Sequence, residues 1–359
     1  MLPGDVIVTS EAPLGEVAFI DRRLEWCLGQ RLFGLRPVQS VDGRYLFFAL
    51  RSPDVQADIQ SRATGTTAQG IRQPELLRVT VPVPPIAEQK AIAGVLGALE
   101  DKIELNRRMN ETLEAMARAL FKSWFVDFDP VRAKMAGRAP FGMDAATAAL
   151  FPRQFDGAVP AAWREVPLDS IADFMNGLAL QKFPAGPGSP SLPVLKIAQL
   201  RAGSVEGADR ASLDVPTSHH VHDGDLIFSW SGSLLVRVWS GGRAALNQHL
   251  FKVTPKQCPM WFVHGWLRHH LPAFQAIAAD KATTMGHIQR HHLTEAVVVV
   301  PSKAVLEAAG GVMESLEARI LANSLESRTL AELRDLLLPK LLSGELRIRD
   351  AEKAVEAAL

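Results

Sequence analysis

Cysteine is nearly missing: Cys27 and Cys258 are the only two in 359 residues. Two isolated thiols make neither a disulfide framework nor a CxxC metal site, and both read as buried free thiols. Neither sign of charge is in excess, since 39 Lys and Arg balance 39 Asp and Glu. That gives no support to a uniformly basic nucleic-acid binder, although a local patch can hide in the balance. No apolar run reaches the ~18 residues needed to span a bilayer, and no signal peptide is visible. A reducing cytoplasm fits. Catalytic signatures are also missing: there is no Walker lysine motif, no glycine-rich dinucleotide fingerprint after a strand, no HExxH and no NPPY. Asp127 and Asp129 in DFDP read as a turn at a helix end rather than a nuclease centre. With 47% hydrophobic and 22% charged residues, the chain reads as a soluble globular protein of two or more domains.

Against these absences stands a long internal repeat. Residues 66–120 recur in outline at 283–337 without a gap. Ile71 meets Ile288, Leu76 meets Leu293, Pro84 meets Pro301, Asn106 meets Asn323 and Leu120 meets Leu337. Upstream, Gly4-Asp5-Val6-Ile7 matches Gly224-Asp225-Leu226-Ile227, and Gln30–Phe33 matches Gln248–Phe251. Two copies of one unit follow, each running from a β-type segment into a long helix. The second copy begins near Trp163, whereas the first has nothing before Met1. Comparison of the halves therefore gives the expectation that roughly sixty residues of a first domain are absent.

The local patterns predict short strands at 4–8, 15–20 and 32–36, helix over 44–60, and a polar loop at 64–74. The alternation of 77–83 (LRVTVPV) predicts a strand that Pro84-Pro85 ends. A long helix then follows from Glu88. Its apolar positions Ile92, Leu96, Leu99, Ile103, Leu113, Ala117, Leu120 and Trp124 keep heptad spacing, with Asn106 and Asn110 in the two intervening core places. Over 88–124 such a helix would span about 55 Å. Residues 127–162, rich in Gly and Pro, read as a linker with a short helix at 144–150. The second copy predicts strands or strand–turn units at 163–173 and 192–198 and a hairpin of 224–230 with 234–239. A helix over 260–278, a polar loop at 281–292 and a strand at 295–300 complete its globular part. Its long helix carries Leu306, Ala309, Met313, Leu316, Ile320, Asn323, Leu330, Leu337 and Leu341 in the same frame, with Pro339 expected to break it. Polar Asn106 and Asn323 at core positions are expected to fix the register of an antiparallel pairing between the two helices.

The stretch 82–134 carries PPIAEQ (84–89), DKIELNRRMNETLE (101–114) and FKSWFVDFDPVRAK (121–134). It resembles the central conserved region of the specificity subunit of Type I restriction–modification systems. WREVPLDSI (163–171), GDLI (224–227), Asn247-Gln248 and LLPKLLSGELRI (337–348) resemble further parts of the same family, so the resemblance covers essentially the whole chain. It implies an α+β fold: two β-rich target-recognition domains, the first incomplete, joined by two helices in an antiparallel coiled coil with pseudo-twofold symmetry. The expected divisions are a partial first recognition domain at 1–84, a first long helix at 85–126 and the linker at 127–162. A second recognition domain at 163–301, a second long helix at 302–348 and a C-terminal tail at 349–359 follow. The resemblance further implies a bipartite double-stranded DNA site, two methyltransferase subunits docked on the helices, and motor-nuclease subunits. No catalytic site or cofactor is expected in this chain. S-adenosylmethionine, and ATP with Mg for restriction, are expected on the partner subunits. Two chains associating through their helices is a further arrangement the repeat allows.

Base contacts do not carry over from a family whose members read different DNA, so they rest on residue chemistry. All ten histidines lie between His219 and His292. The loop 281–292 gathers Lys281, Thr283, Thr284, His287, Gln289, Arg290, His291 and His292, a set of hydroxyl, amide and cationic donors suited to phosphates and base edges. Its counterpart at 62–73 offers Thr66, Thr67, Gln69 and Arg72. Ser229, Ser231 and Arg237 on the hairpin form a second candidate surface. Metal binding is not expected, because the adjacent pairs 219/220, 269/270 and 291/292 lack the i, i+4 spacing that converges on one ion. The bland readings are ordinary polar loops and core tryptophans. The alternative function is a scaffold or inactive remnant that binds partner subunits without reading DNA.

Overall fold

A computed structural model describes residues 1–65, 69–280 and 286–359. The chain forms two compact units, Met1–Asn106 with Glu326–Leu359, and Arg107–Leu325.

In the first unit, β1 (Val6–Thr9) lies between β2 (Val17–Phe19) and β3 (Leu32–Leu35), antiparallel to both. Val6 and Val8 point to the core, as the two-residue period of a strand requires. Asp5, just before β1, is held by Arg36 through two 2.8 Å bonds. That fork keeps its carboxyl at about 2. Helix α1 (Gly43–Leu50) starts where the Asp42 carboxylate accepts the Tyr45 N–H at 3.0 Å. Helices α2 (Pro53–Ser61) and α3 (Gln73–Leu76) follow. The buried Tyr45 hydroxyl donates to Pro82 O at 2.7 Å, and burial pushes its pKa up to about 12. On this core helix α4 (Ile86–Phe121) lays Ile92, Leu96 and Leu99, together with Leu330, Leu337 and Leu341.

In the second unit, a π-helical turn at Lys122–Val126 continues α4, and Phe128 in a left-handed conformation turns the chain into α5 (Asp129–Met135). Asp127 and Asp129 act within this turn, the first on Lys122 and the second accepting the Ser123 hydroxyl at 2.7 Å. Helix α6 (Ala145–Leu150) and the small hairpin β4 (Phe155–Asp156)–β5 (Val159–Pro160) lead to β6 (Arg164–Pro167), α7 (Leu168–Ile171) and β7 (Ala172–Asn176). The chain continues through β8 (Ser191–Leu195), α8 (Ile197–Ala202), β9 (Arg210–Ser212), β10 (His220–Val221), β11 (Leu226–Ser229), β12 (Leu235–Val238), β13 (Ala244–Leu246) and β14 (Leu250–Pro255). Helices α9 (Met260–Asp280) and α10 (Arg290–Glu295), strand β15 (Val297–Val300) and helix α11 (Lys303–Leu342) complete it; α12 (Ile348–Glu356) returns to the first unit. Sheets run β12-β11-β14-β7, β10-β13-β8-β9 and β15-β6. An aromatic core of Phe121, Trp124, Phe125, Trp163, Phe262 and Trp266 joins the end of α4 to α9.

The two long helices pack antiparallel in each unit. In the first, Glu100 bonds Arg334 at 2.6 Å while Asn106 donates to Glu326 at 2.7 Å, so positions rise on one helix as they fall on the other. In the second, Asn323 donates to Asn110 Oδ1 at 2.9 Å, and Asn110 donates to Ile320 O at 3.1 Å. Asn106 and Asn323 are both buried, each within a polar layer between the helices. A core amide whose partner exists in one alignment only selects that register.

The repeat is visible in the topology. Strands β2-β1-β3 correspond to β12-β11-β14, α1 and α2 to α9, and α3 to α10. The second unit has β7 beyond β14, whereas no strand pairs with the outer edge of β3 among the described residues.

Five expectations need correction. Residues 77–83 form no strand: the counterpart β15 is a strand because β6 pairs with it, and 77–83 has no such partner among the described residues. The 127–162 stretch packs rather than links loosely, since Phe128, Val131 and Phe151 are buried in the core. Helix α11 runs through Pro339 to Leu342, because a proline in the last turn removes only one intrahelical bond. The 349–359 tail is mostly the helix α12, whose Ala351 and Val355 are buried. Cys258 is buried, but Cys27 is exposed.

Candidate nucleic-acid interface

Each unit holds its candidate loop against a hairpin turn in the same way. In the second unit, Ile288 N–H donates to Trp230 O at 3.0 Å, and Gly232 N–H donates to Gly286 O at 2.7 Å. In the first, Ile71 N–H donates to Ser10 O at 2.9 Å. Ile71 and Ile288 are counterparts in the repeat, and both are buried. Each turn carries one member of another matched pair. Ser231 Oγ lies 2.9 Å from His249 Nδ1, and the corresponding Glu11 and Arg31 form a 2.9 Å ion pair. Gly286 has no room for a side chain: a Cβ would stand 2.2 Å from Ala278 O. That close approach anchors the end of the loop on α9.

The sequence candidates divide by environment. His287 bridges to Ser231 and sets its ring edge-on to Trp230 at 6.2 Å. Gln289 is exposed and caps α10, and His291 on the first turn of α10 is exposed too. Arg290 is exposed overall, yet its Nη2 donates to Phe174 O at 3.0 Å and its guanidinium lies over the Phe251 ring. In the first unit Gln69 and Arg72 are exposed. Thr66, Thr67, Lys281, Thr283 and Thr284 lie outside the described residues.

The hairpin surface needs correction. Ser229 and Ser231 are buried. Ser229 Oγ donates to Ser231 O at 3.1 Å, so these hydroxyls shape the turn from inside. Arg237 points away from the turn: its Nη1 donates to Leu200 O at 3.0 Å and Arg201 O at 2.8 Å, at the end of α8. Burial lowers its pKa from the ordinary guanidinium range. The alternation of a strand places residues on faces but does not say which face is covered, and that was the missing information. The structure adds His249 and Trp230 to the loop surface. Their only sequence signal was the neighbouring Asn247-Gln248 and the matching spacing in the first copy.

Among the described residues, His291, His292 and Glu295 have ligand atoms within 4.8 Å of one another. His292 Nδ1, however, accepts the Gln289 N–H at 2.9 Å. That bond leaves the neutral ring's proton on Nε2, with no lone pair there for a metal. No helix of the described residues is long and apolar enough to cross a membrane.

A duplicated α+β chain, with a polar loop tied to a hairpin turn in each copy and long helices packed antiparallel, is the class that fold and surface define. Residues 3–115 match the family model of the Type I restriction modification DNA specificity domain. The chain is 25% identical over 357 residues to the Type I restriction enzyme MjaIX specificity subunit of Methanocaldococcus jannaschii, covering 97% of this chain and 78% of that one. It is 24% identical over 399 residues to the HindI specificity subunit of Haemophilus influenzae, covering 96% and 86%. The crystal structure of a Type I restriction–modification S subunit from M. genitalium has the same fold, with a TM-score of 0.50 at 17% identity over 95% of this chain and 83% of that one. By family model, relatives and fold, the chain is similar to the specificity subunits of Type I restriction–modification systems.

Proposed function

We propose that this chain selects the DNA sequence for a Type I restriction–modification complex in the cytoplasm and carries no catalytic centre itself. Each β-rich domain contacts one half of a bipartite double-stranded site. The loops ending at Ile71 and Ile288 touch the DNA. The paired α4 and α11 dock two methyltransferase subunits, and motor-nuclease subunits join for cleavage. S-adenosylmethionine would serve the methyltransferases, and ATP with Mg the motor.

The observation that carries this reading is the repeated tie between loop and hairpin turn. Ile71 to Ser10 and Ile288 to Trp230 are the same backbone bond in two copies, at 2.9 and 3.0 Å. Two equivalent loops on two equivalent scaffolds suit two half-sites. Around them stand Gln69, Arg72, His287, Gln289 and His291, able to donate to phosphates and base edges. The chain's zero net charge makes any phosphate contact local.

The test is methylation mapping across a genome after co-expression with the methyltransferase subunit, beside a control lacking this chain. A new interrupted motif is expected. Identical methylation with and without the chain would overturn the reading.

A further inference from the structure

We infer that the first unit binds a strand–turn–strand segment with the chemistry of residues 163–176 (WREVPLDSIADFMN). The receiving site is a groove of about 410 Å³ lined by Phe33, Leu35, Tyr45, Leu76, Leu77 and Val83 among others. The inference rests on the internal repeat and is independent of the DNA-reading role.

The second unit says what such a groove takes. The counterparts of Phe33 and Leu35 are Phe251 and Val253 on β14, whose outer edge pairs with β7. Phe251 faces Asn176 in that ladder, and Val253 faces Phe174. The counterpart of Val83 is Val300, which pairs with Arg164 of β6. The counterpart of Leu77 is Thr294, whose hydroxyl donates to Asp169 at 2.6 Å. One segment, 163–176, thus pairs with both β14 and β15 in the second unit, and its Leu168, Ile171 and Phe174 are buried in the core.

In the first unit the same surface is open. Val83 is 54% exposed against 9% for Val300, and Leu77 is 75% exposed. The stretch around Val83 is not a strand, and the edge of β3 has no partner among the described residues. An unpaired edge beside exposed apolar side chains is a template for strand addition. Arg36, on the edge just past β3 and already paired with Asp5, corresponds to Thr254, which faces Asp173.

The experiment titrates the synthetic peptide WREVPLDSIADFMN into the full chain, with a scrambled peptide of the same composition as control. Saturable one-to-one binding is expected, with slowed amide exchange in β3. Leu77→Asp sets a like charge opposite Asp169, and Val83→Glu puts a carboxylate in the buried ladder. Both positions are exposed in the free chain, so both variants should fold. Each should weaken the peptide at least tenfold. No binding of the peptide, equal binding of the scrambled control, or binding that L77D and V83E leave unchanged would overturn the inference. The last result would locate the peptide elsewhere, for example exchanged into the second unit.

Discussion

Replacing Arg237 by methionine separates two roles that the sequence leaves equally open. The guanidinium donates to Leu200 O and Arg201 O, carbonyls in the last turn of α8. Those carbonyls have no intrahelical partner, and a cation there also meets the negative end of the helix. Methionine keeps most of the apolar stem and removes both bonds. Bonds to a charged donor contribute about 1.5–3 kcal/mol each, but burial of this guanidinium already offsets part of that. A net loss of about 2 kcal/mol follows. With a urea slope of about 2 kcal/mol per molar, the unfolding midpoint of the second unit should fall by roughly 1 M. The same variant, assembled with methyltransferase subunits, should keep its dependence of DNA affinity on salt. Were Arg237 a phosphate contact, the log–log slope would drop by about 0.9 and stability would barely move. That pair of results would refute the assignment.

Gly265→Ala should destabilise, although helix propensity alone favours alanine by about 1 kcal/mol. Its Cβ would lie 2.3 Å from two Phe121 ring carbons in a close-packed core, so a net loss of about 1–2 kcal/mol is expected by thermal or denaturant unfolding. A higher midpoint would show that the ring yields freely. Asp5→Asn probes the first unit. Asp5 has a folded pKa of about 2, below its ordinary value of 3.8, so it contributes stability above pH 4 that disappears as pH falls through 2. Arg36 is 64% exposed, and solvent screening reduces the contribution to about 1 kcal/mol. The wild type should exceed the variant by that amount at pH 7 and converge with it below pH 2. A gap that persists below pH 2 would mean packing, not charge, is responsible.

Much of the architecture is local and was therefore legible. Short apolar segments marked β1 and a hairpin at Gly232-Ser233 marked β11 and β12, while period-3.5 spacing marked α4 and α11. The repeat made the two loops equivalent before any coordinates, and the bonds of Ile71 and Ile288 to their turns agree with it. The choice of Asn106 and Asn323 as register positions came from the same spacing, and both are buried between the helices. Their partners, Glu326 and Asn110, follow from the alignment of two helices distant in sequence.

What the chain determined alone is thus its duplication, read from matched residues across the two halves, and its element types and loop chemistry, which depend on neighbours a few residues apart. Tertiary structure decided the rest. LRVTVPV and EAVVVV have similar strand propensity, but only the second has β6 to bond with. Ser229, Ser231 and Arg237 look like surface donors in the sequence, yet a turn carbonyl, a histidine and the end of α8 claim them. The reason is the same in each case. A strand or a polar side chain is completed by a hydrogen-bond partner, and that partner comes from sequence-distant chain whose position only folding sets.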